Sequence, residues 1–201
     1  MENKFWDERY SEQHYVYGKE PNGFFKQWID KLQPGKLLLP GEGEGRNAVY
    51  AAKKGWDVTA IDFSEQAKIK AIKLAEENNV TINYIVSSTA DYKYPEQEYD
   101  AAALVFVHFA QGLRENVHRS IIKSLKTGGT LIIEAFSKAQ IHNSSGGPKD
   151  LNALYSIDDF RNDFCGLNIS ELSEYHIELK EGDYHKGPAD VIRFAAIKTN
   201  I

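Results

Sequence analysis

Between an apolar run and a helix-like stretch, glycine recurs at every second position: Gly41-Glu42-Gly43-Glu44-Gly45, followed by Arg46-Asn47. The run before it, Lys36-Leu37-Leu38-Leu39, stops at Pro40 and reads as a buried strand; Asn47 to Lys54 reads as a helix that ends at Gly55. Strand and helix then repeat. Asp57 to Asp62 is the second strand, and Ser64 opens a helix, with Glu65 in its first turn, that runs through Ala75. Ile82 to Val86, Tyr99 to Val107 and Thr130 to Phe136 supply three more strands, with a helix from Gly112 to Leu125 and a turn at Thr127-Gly128-Gly129. Strands separated by helices need crossover connections, so this part of the sheet is largely parallel.

The tail changes character after Ser144-Ser145-Gly146-Gly147-Pro148. A helix near Ser156 to Asp163 precedes two β-like segments, Ile169 to Leu179 and Ala189 to Lys198, joined through Glu181-Gly182-Asp183 as an antiparallel hairpin. The expected fold is α/β: a Rossmann-like, doubly wound, seven-stranded sheet, mostly parallel with an antiparallel C-terminal hairpin.

Composition narrows the partners. A chain of 201 residues with 42% hydrophobic content fits one domain with a substantial core. The net charge of -5 comes without any Lys/Arg block able to neutralise a run of phosphates, which argues against a nucleic-acid partner. Apolar stretches such as Ala101 to Phe109 are about half as long as a membrane helix needs, and Met1 to Phe5 lack a signal-peptide core, so the expectation is a cytoplasmic protein without a membrane partner. Cys165, the single cysteine, excludes an intrachain disulfide and a cysteine-based metal site; its setting between Phe164 and Gly166 suggests a small buried hydrophobe.

A glycine-rich turn after the first strand of a doubly wound sheet lies at the topological switch point, where glycines let the backbone approach a ligand that a Cβ would block. Asp62 ends the second strand about twenty residues later, where a carboxylate can accept hydrogen bonds from both ribose hydroxyls. Dinucleotide sites want Gly-x-Gly-x-x-Gly, and here the sixth position is Arg46, so the fingerprint fails. A Gly-x-Gly-x-Gly loop suits a nucleoside with an amino-acid tail and no phosphate, which describes S-adenosylmethionine.

Leu37 to Asn47 followed by Gly55-Trp56-Asp57-Val58-Thr59-Ala60-Ile61-Asp62 resembles the cofactor-binding half of class I, tellurite-resistance-type methyltransferases. Phe5-Trp6-Asp7-Glu8-Arg9-Tyr10 and Tyr17-Gly18-Lys19-Glu20-Pro21-Asn22 resemble the lid of these proteins and of thiopurine-methyltransferase-like relatives. Gly146-Gly147-Pro148-Lys149 and Gly182 to Gly187 are similar to segments of bacterial members. The resemblance implies one methyltransferase domain over residues 1–201, with an N-terminal lid and helix over 1–33 and a Rossmann-like core over 34–201. It also implies S-adenosylmethionine as cofactor, S-adenosylhomocysteine as product, and a small-molecule methyl acceptor such as a thiol or a metalloid oxyanion. A monomer or homodimer is expected. The chain departs from the family pattern at Leu39, where many members carry an acidic residue, and at Pro40 and Glu42.

Carried over residue by residue, the resemblance puts Gly41, Gly43 and Gly45 around the methionine part of the cofactor, with Glu42, Arg46 and Asn47 of the same loop in the site. Asp62 falls on the ribose. Ser88 to Asp91 lie where the adenine is contacted: Ala90 beside it, Asp91 on the exocyclic amine, Phe63 packed on the ring. Phe106, Val107, His108 and Phe109 end the fourth strand, where such enzymes present the reactive sulfonium. His108 could deprotonate a thiol or hydroxyl, although a histidine at a strand end often packs or caps. No metal-ligand set is evident. Tyr10, Tyr15 and Tyr17 offer aromatic surface for the acceptor; His14, His142 and His185 could reach a pocket, and Gly146-Gly147 could close over it. Two other readings are a non-catalytic S-adenosylmethionine-binding protein and an NAD-dependent oxidoreductase.

Overall fold

In a computed structural model, residues 2–110 and 112–200 are described; the lid expected over 1–33 therefore begins one residue outside them. Two helices come first, α1 (Glu2–Tyr10) and α2 (Gly23–Ile29). The chain then alternates: β1 (Lys36–Pro40), α3 (Arg46–Lys53), β2 (Asp57–Asp62), α4 (Glu65–Glu77), β3 (Asn83–Val86), β4 (Tyr99–Val105), α5 (Leu113–Ser124) and β5 (Leu125–Phe136). A 3-10 turn (Lys138–His142), α6 (Ile157–Asp163), β6 (Leu167–Lys180) and β7 (Lys186–Lys198) complete it.

The seven strands lie in the order β3-β2-β1-β4-β5-β7-β6. β1 to β5 pair in parallel, and β7 runs antiparallel between β5 and β6. Strand order reverses between β1 and β4, which opens a crevice beyond the carboxyl ends of the central strands. The leucine run explains why β1 is central. Leu37 and Leu39 pack into the apolar cluster on one face of the sheet and Leu38 into the cluster on the other, so β1 is covered on both sides.

Local signals set the helix ends. The Ser64 hydroxyl accepts from the Ala67 N–H at 3.2 Å and starts α4; Ser156 and Asp159 form a reciprocal capping box that starts α6. Two expectations fail here. Cys165 is exposed, because the end of α6 turns Phe164 inward and leaves the next residue outside. β5 already begins at Leu125 and runs through the glycines expected to form a turn, with an irregularity in its pairing between Tyr99 and Ala101.

The N-terminal segment is fastened across the carboxyl edge of the sheet. The Asp7 carboxylate accepts from the Ser64 hydroxyl, the Tyr17 N–H donates to Glu44 at 3.3 Å, and Arg46 donates to the Tyr17 carbonyl at 3.2 Å. Among the described residues no helix is long and apolar enough to cross a membrane.

Candidate active site

The crevice at the switch point is a cavity of about 340 Å³, within the rough 300–1,000 Å³ range of small-molecule sites. Its floor is the turn after β1. The Asp62 carboxylate, at the end of β2, accepts from the Gly43 N–H and the Ser64 N–H, each at 3.0 Å, and so clamps the glycine turn to the start of α4. Burial pushes its pKa up to about 6. Four lone-pair sites on a carboxylate leave acceptor capacity after these two bonds.

Glycine is required in this turn by the protein's own packing. Gly41, Gly43 and Gly45 all have positive φ, at 70°, 64° and 89°. A Cβ on Gly41 would stand 2.7 Å from Val107, one on Gly43 2.8 Å from the Tyr10 hydroxyl, and one on Gly45 2.6 Å from Ala71 of α4. Side chains of the fold fill those three directions, while Gly41 and Gly43 line the cavity with their backbone. Gly45 does not line the cavity at all, since it is spent on the close crossing of α3 and α4.

Glu42, Arg46, Asn47, Phe63, Ala90 and Phe106 do line it. Asp91 does not. It is exposed and folded back on Ser88, whose hydroxyl donates to it at 2.7 Å while accepting from the Asp91 N–H at 3.1 Å. A side-chain-to-backbone turn of this kind satisfies the carboxylate locally. Phe106 has φ 56°, a left-handed conformation that costs a residue with a Cβ roughly 1–3 kcal/mol. The strain turns its ring to stack on Phe136 at 4.6 Å and to meet the His185 ring edge-on at 4.6 Å.

The far wall comes from the two ends of the chain. Trp6, Tyr10 and Tyr17 arrive from the N-terminal segment and His185 from the turn just before β7. Tyr17 and His185 touch, with ring centroids 4.5 Å apart. Behind them, Arg46 donates to Glu181 at 2.7 Å, and the Asn22 amide donates to both Glu181 and Glu134. Burial alone would raise Glu181, but His185 and Arg46 beside it take the carboxyl down to about 2. His185 Nδ1 makes no hydrogen bond and stands 3.7 Å from Glu181 Oε2. Burial lowers the pKa of His185 and outweighs the opposing pull of Glu181.

His108 borders the cavity, yet both of its ring nitrogens face backbone: Nδ1 lies 2.8 Å from the Ala153 carbonyl, and Nε2 accepts from the Phe136 N–H at 3.2 Å. The ring is stacked between Phe136 and Tyr155, and burial lowers its pKa to about 4. It is a neutral imidazole tying the end of β4 to the end of β5 and the segment before α6.

The outlying candidates separate in the same way. His14 pairs with Asp183 on the surface, His142 is exposed, and Tyr15 donates to the Lys70 carbonyl outside the cavity. Gly146 and Gly147 pack behind the cavity wall, where a Cβ would meet His185 and Phe136 respectively. Glu44, which the motif reading passed over, is buried in the floor and paired with Lys70 at 2.7 Å. Its place as the second acid of the Gly-Glu-Gly-Glu-Gly run was its only signal.

Comparison with known proteins agrees with this geometry. Residues 38–129, from β1 into β5, match the family described as "Methyltransferase domain". That stretch of the chain resembles a methyltransferase domain. Similar curated proteins include "Ubiquinone biosynthesis O-methyltransferase" of Rickettsia akari, 29% identical over 116 residues that cover 58% of this chain and 45% of that protein. Another is "Probable S-adenosyl-L-methionine-dependent methyltransferase TehB" of Haemophilus influenzae, 28% identical over 172 residues, covering 80% of this chain and 51% of that one. The chain thus spans about half the length of these relatives.

The crystal structure of that TehB superposes with a TM-score of 0.73 at 18% identity, covering 98% of this chain and 67% of that one. A structure solved for the conversion of a disulfide bond into a thioacetal group during echinomycin biosynthesis superposes with a TM-score of 0.79 at 16% identity, covering 99% and 93%. At these identities the likeness establishes the fold.

S-adenosylmethionine, the cofactor of such domains, fits the residues present. It carries a sulfonium and an ammonium, and the cavity offers the carboxylates of Glu42, Glu44 and Asp62, the last two buried, together with the faces of Trp6, Tyr10 and Tyr17. No dinucleotide fits as well, because the turn after β1 commits the Gly43 N–H to Asp62 instead of offering it to a phosphate.

Proposed function

We propose that the chain, acting as one domain over residues 1–201, transfers a methyl group from S-adenosylmethionine to a small acceptor, a thiol or a metalloid oxyanion. The observation that carries this reading is one continuous cavity with the Gly41–Glu44 turn and Asp62 at one end and the aromatic rings and His185 at the other. About 340 Å³ is filled largely by a nucleoside with an amino-acid tail, which leaves room for an acceptor of few heavy atoms.

The donor supplies a methyl group on a positively charged sulfur, already activated for in-line displacement. The chain's own residues then have three tasks. Asp62 receives the ribose hydroxyls on its free lone pairs, and Ala90 and Phe63 flank the base. Trp6, Tyr10 and Tyr17 cover the reacting end, exclude water, and hold acceptor and methyl in line. His185, neutral at physiological pH and beside an ionised Glu181, takes the proton of a thiol as its sulfur bonds the methyl carbon. An acceptor that is already ionised needs no such step. His108, with both nitrogens engaged, positions the β4 end and accepts no proton.

A methyl-release assay with S-adenosylmethionine against a panel of thiols, selenium and tellurium oxyanions, catechols and amines tests the reading. Turnover with small thiols or oxyanions is expected. Turnover confined to bulky phenols would overturn the acceptor class, and binding of S-adenosylmethionine without turnover of any acceptor would favour a non-catalytic binding protein.

A further inference from the structure

The missing acid at position 39 leaves a question of charge in the cavity. Leu39 is fully buried in the apolar cluster beneath the sheet, so nothing at that position reaches the ligand. Two of the three carboxylates in the floor are already engaged: Glu44 with Lys70 and the Tyr17 N–H, Asp62 with the N–H groups of Gly43 and Ser64. Glu42 differs. One of its oxygens accepts from the Ala48 N–H at 2.7 Å, at the first turn of α3, whose N-cap Gly45 has no side chain to cap it. Among the described residues it forms no ion pair, although Arg46 lies near enough to act on it. The side chain lines the cavity and is only partly covered, so its open surface faces the ligand space.

Resting on the proposed function, we infer that Glu42 binds the α-ammonium group of the donor's methionine part, supplying from inside the glycine turn the negative charge absent at Leu39. The geometry gives the carboxylate two simultaneous roles. Hydrogen bonds from the start of α3 fix the side chain, and its open part would meet a cation in the cavity, where a charge-assisted hydrogen bond is strong. Burial raises the pKa of Glu42 to about 7, and a cation beside it would favour the ionised form.

The test is calorimetric binding to wild type and Glu42→Gln of two probes: S-adenosylhomocysteine and its deaminated analogue, which keeps the carboxylate but lacks the ammonium. Gln retains an oxygen for the Ala48 N–H, and thermal melting of each protein checks that the α3 start survives. In wild type, deamination is expected to weaken binding roughly ten- to hundredfold, the range for a lost charge-assisted bond. In Glu42→Gln the two probes should bind within about twofold of each other, because the coupling between ammonium and carboxylate is gone. A Glu42→Gln protein that still discriminates between the probes as wild type does would overturn the inference while leaving the donor assignment standing. Deamination without effect in wild type would do the same, in the unaltered protein. If wild type binds neither probe, the donor reading fails and the inference with it.

Discussion

The two ends of the cavity are built differently. The cofactor end is local: the turn after β1, the clamp at Asp62 and the start of α4 belong to one strand-helix-strand unit and its next helix. The proposed acceptor end is assembled from Tyr10, Tyr17, Phe106 and His185, which come from the first helix, a loop, a strained strand end and the last hairpin. A short-range unit can be read off a short stretch of sequence. A wall made by the meeting of the two ends of the chain cannot, and it is also the part free to vary with the acceptor while the floor stays the same.

The largest effect should come at the acceptor end. For a thiol acceptor, His185→Gln should lower turnover by roughly 10²–10⁴-fold with cofactor affinity nearly unchanged. The pH–rate profile separates this from a packing role. Because burial lowers its pKa, His185 is the neutral base at pH 7, and activity should fall only as pH drops below the ordinary histidine value of about 6.5. That acidic limb should vanish in the variant; a limb that persists unchanged there would remove His185 from the chemistry.

Next comes the clamp. Asp62→Ala should weaken S-adenosylhomocysteine binding by about 1–3 kcal/mol and, in addition, lower the melting temperature, because the Gly43 and Ser64 N–H groups lose a buried acceptor. The expectation from spacing alone would be a binding defect on an intact fold. Loss of affinity without any change in melting would show that the clamp carries no stability.

His108→Asn should act the other way round. Turnover should stay within about tenfold of wild type, and melting should fall by roughly 2–4 °C per kcal/mol lost from its two backbone contacts. A turnover loss as large as that of His185→Gln would restore His108 as the base. The smallest effect belongs to Asp91→Ala, whose carboxylate is satisfied by Ser88 at the surface; affinity should change by less than about 0.5 kcal/mol. A larger loss would mean that the adenine contact reaches this residue after all.

These contrasts also show what sequence reading can and cannot reach. Period and punctuation revealed the seven strands of the described residues: apolar runs bounded by Gly and Pro mark the buried parallel strands, with β2 on its expected residues, Asp57 to Asp62, and the Glu181-Gly182-Asp183 break marks the antiparallel pair β6 and β7. The glycine turn was legible as a ligand site, but the reason for each glycine was not: Val107, Tyr10 and Ala71 are distant in sequence, and only the fold brings them against the turn. The same holds for His108 and His185. Both were visible as histidines near the reacting end, and nothing in the sequence tells that one has each nitrogen opposite a backbone group while the other stands beside Glu181. Cys165 failed for a smaller reason: a one-residue offset at a helix end decides which side chain turns inward.

The central claim is that this cavity is shaped for a sulfonium nucleoside with an amino-acid tail. Isothermal titration of the unaltered chain with S-adenosylhomocysteine and, separately, with NAD tests it most directly. Saturable binding of one S-adenosylhomocysteine per chain, with no heat from NAD beyond dilution, is the result expected from a turn whose Gly43 N–H is committed to Asp62 and whose floor is lined with carboxylates. NAD binding more tightly than S-adenosylhomocysteine would contradict it.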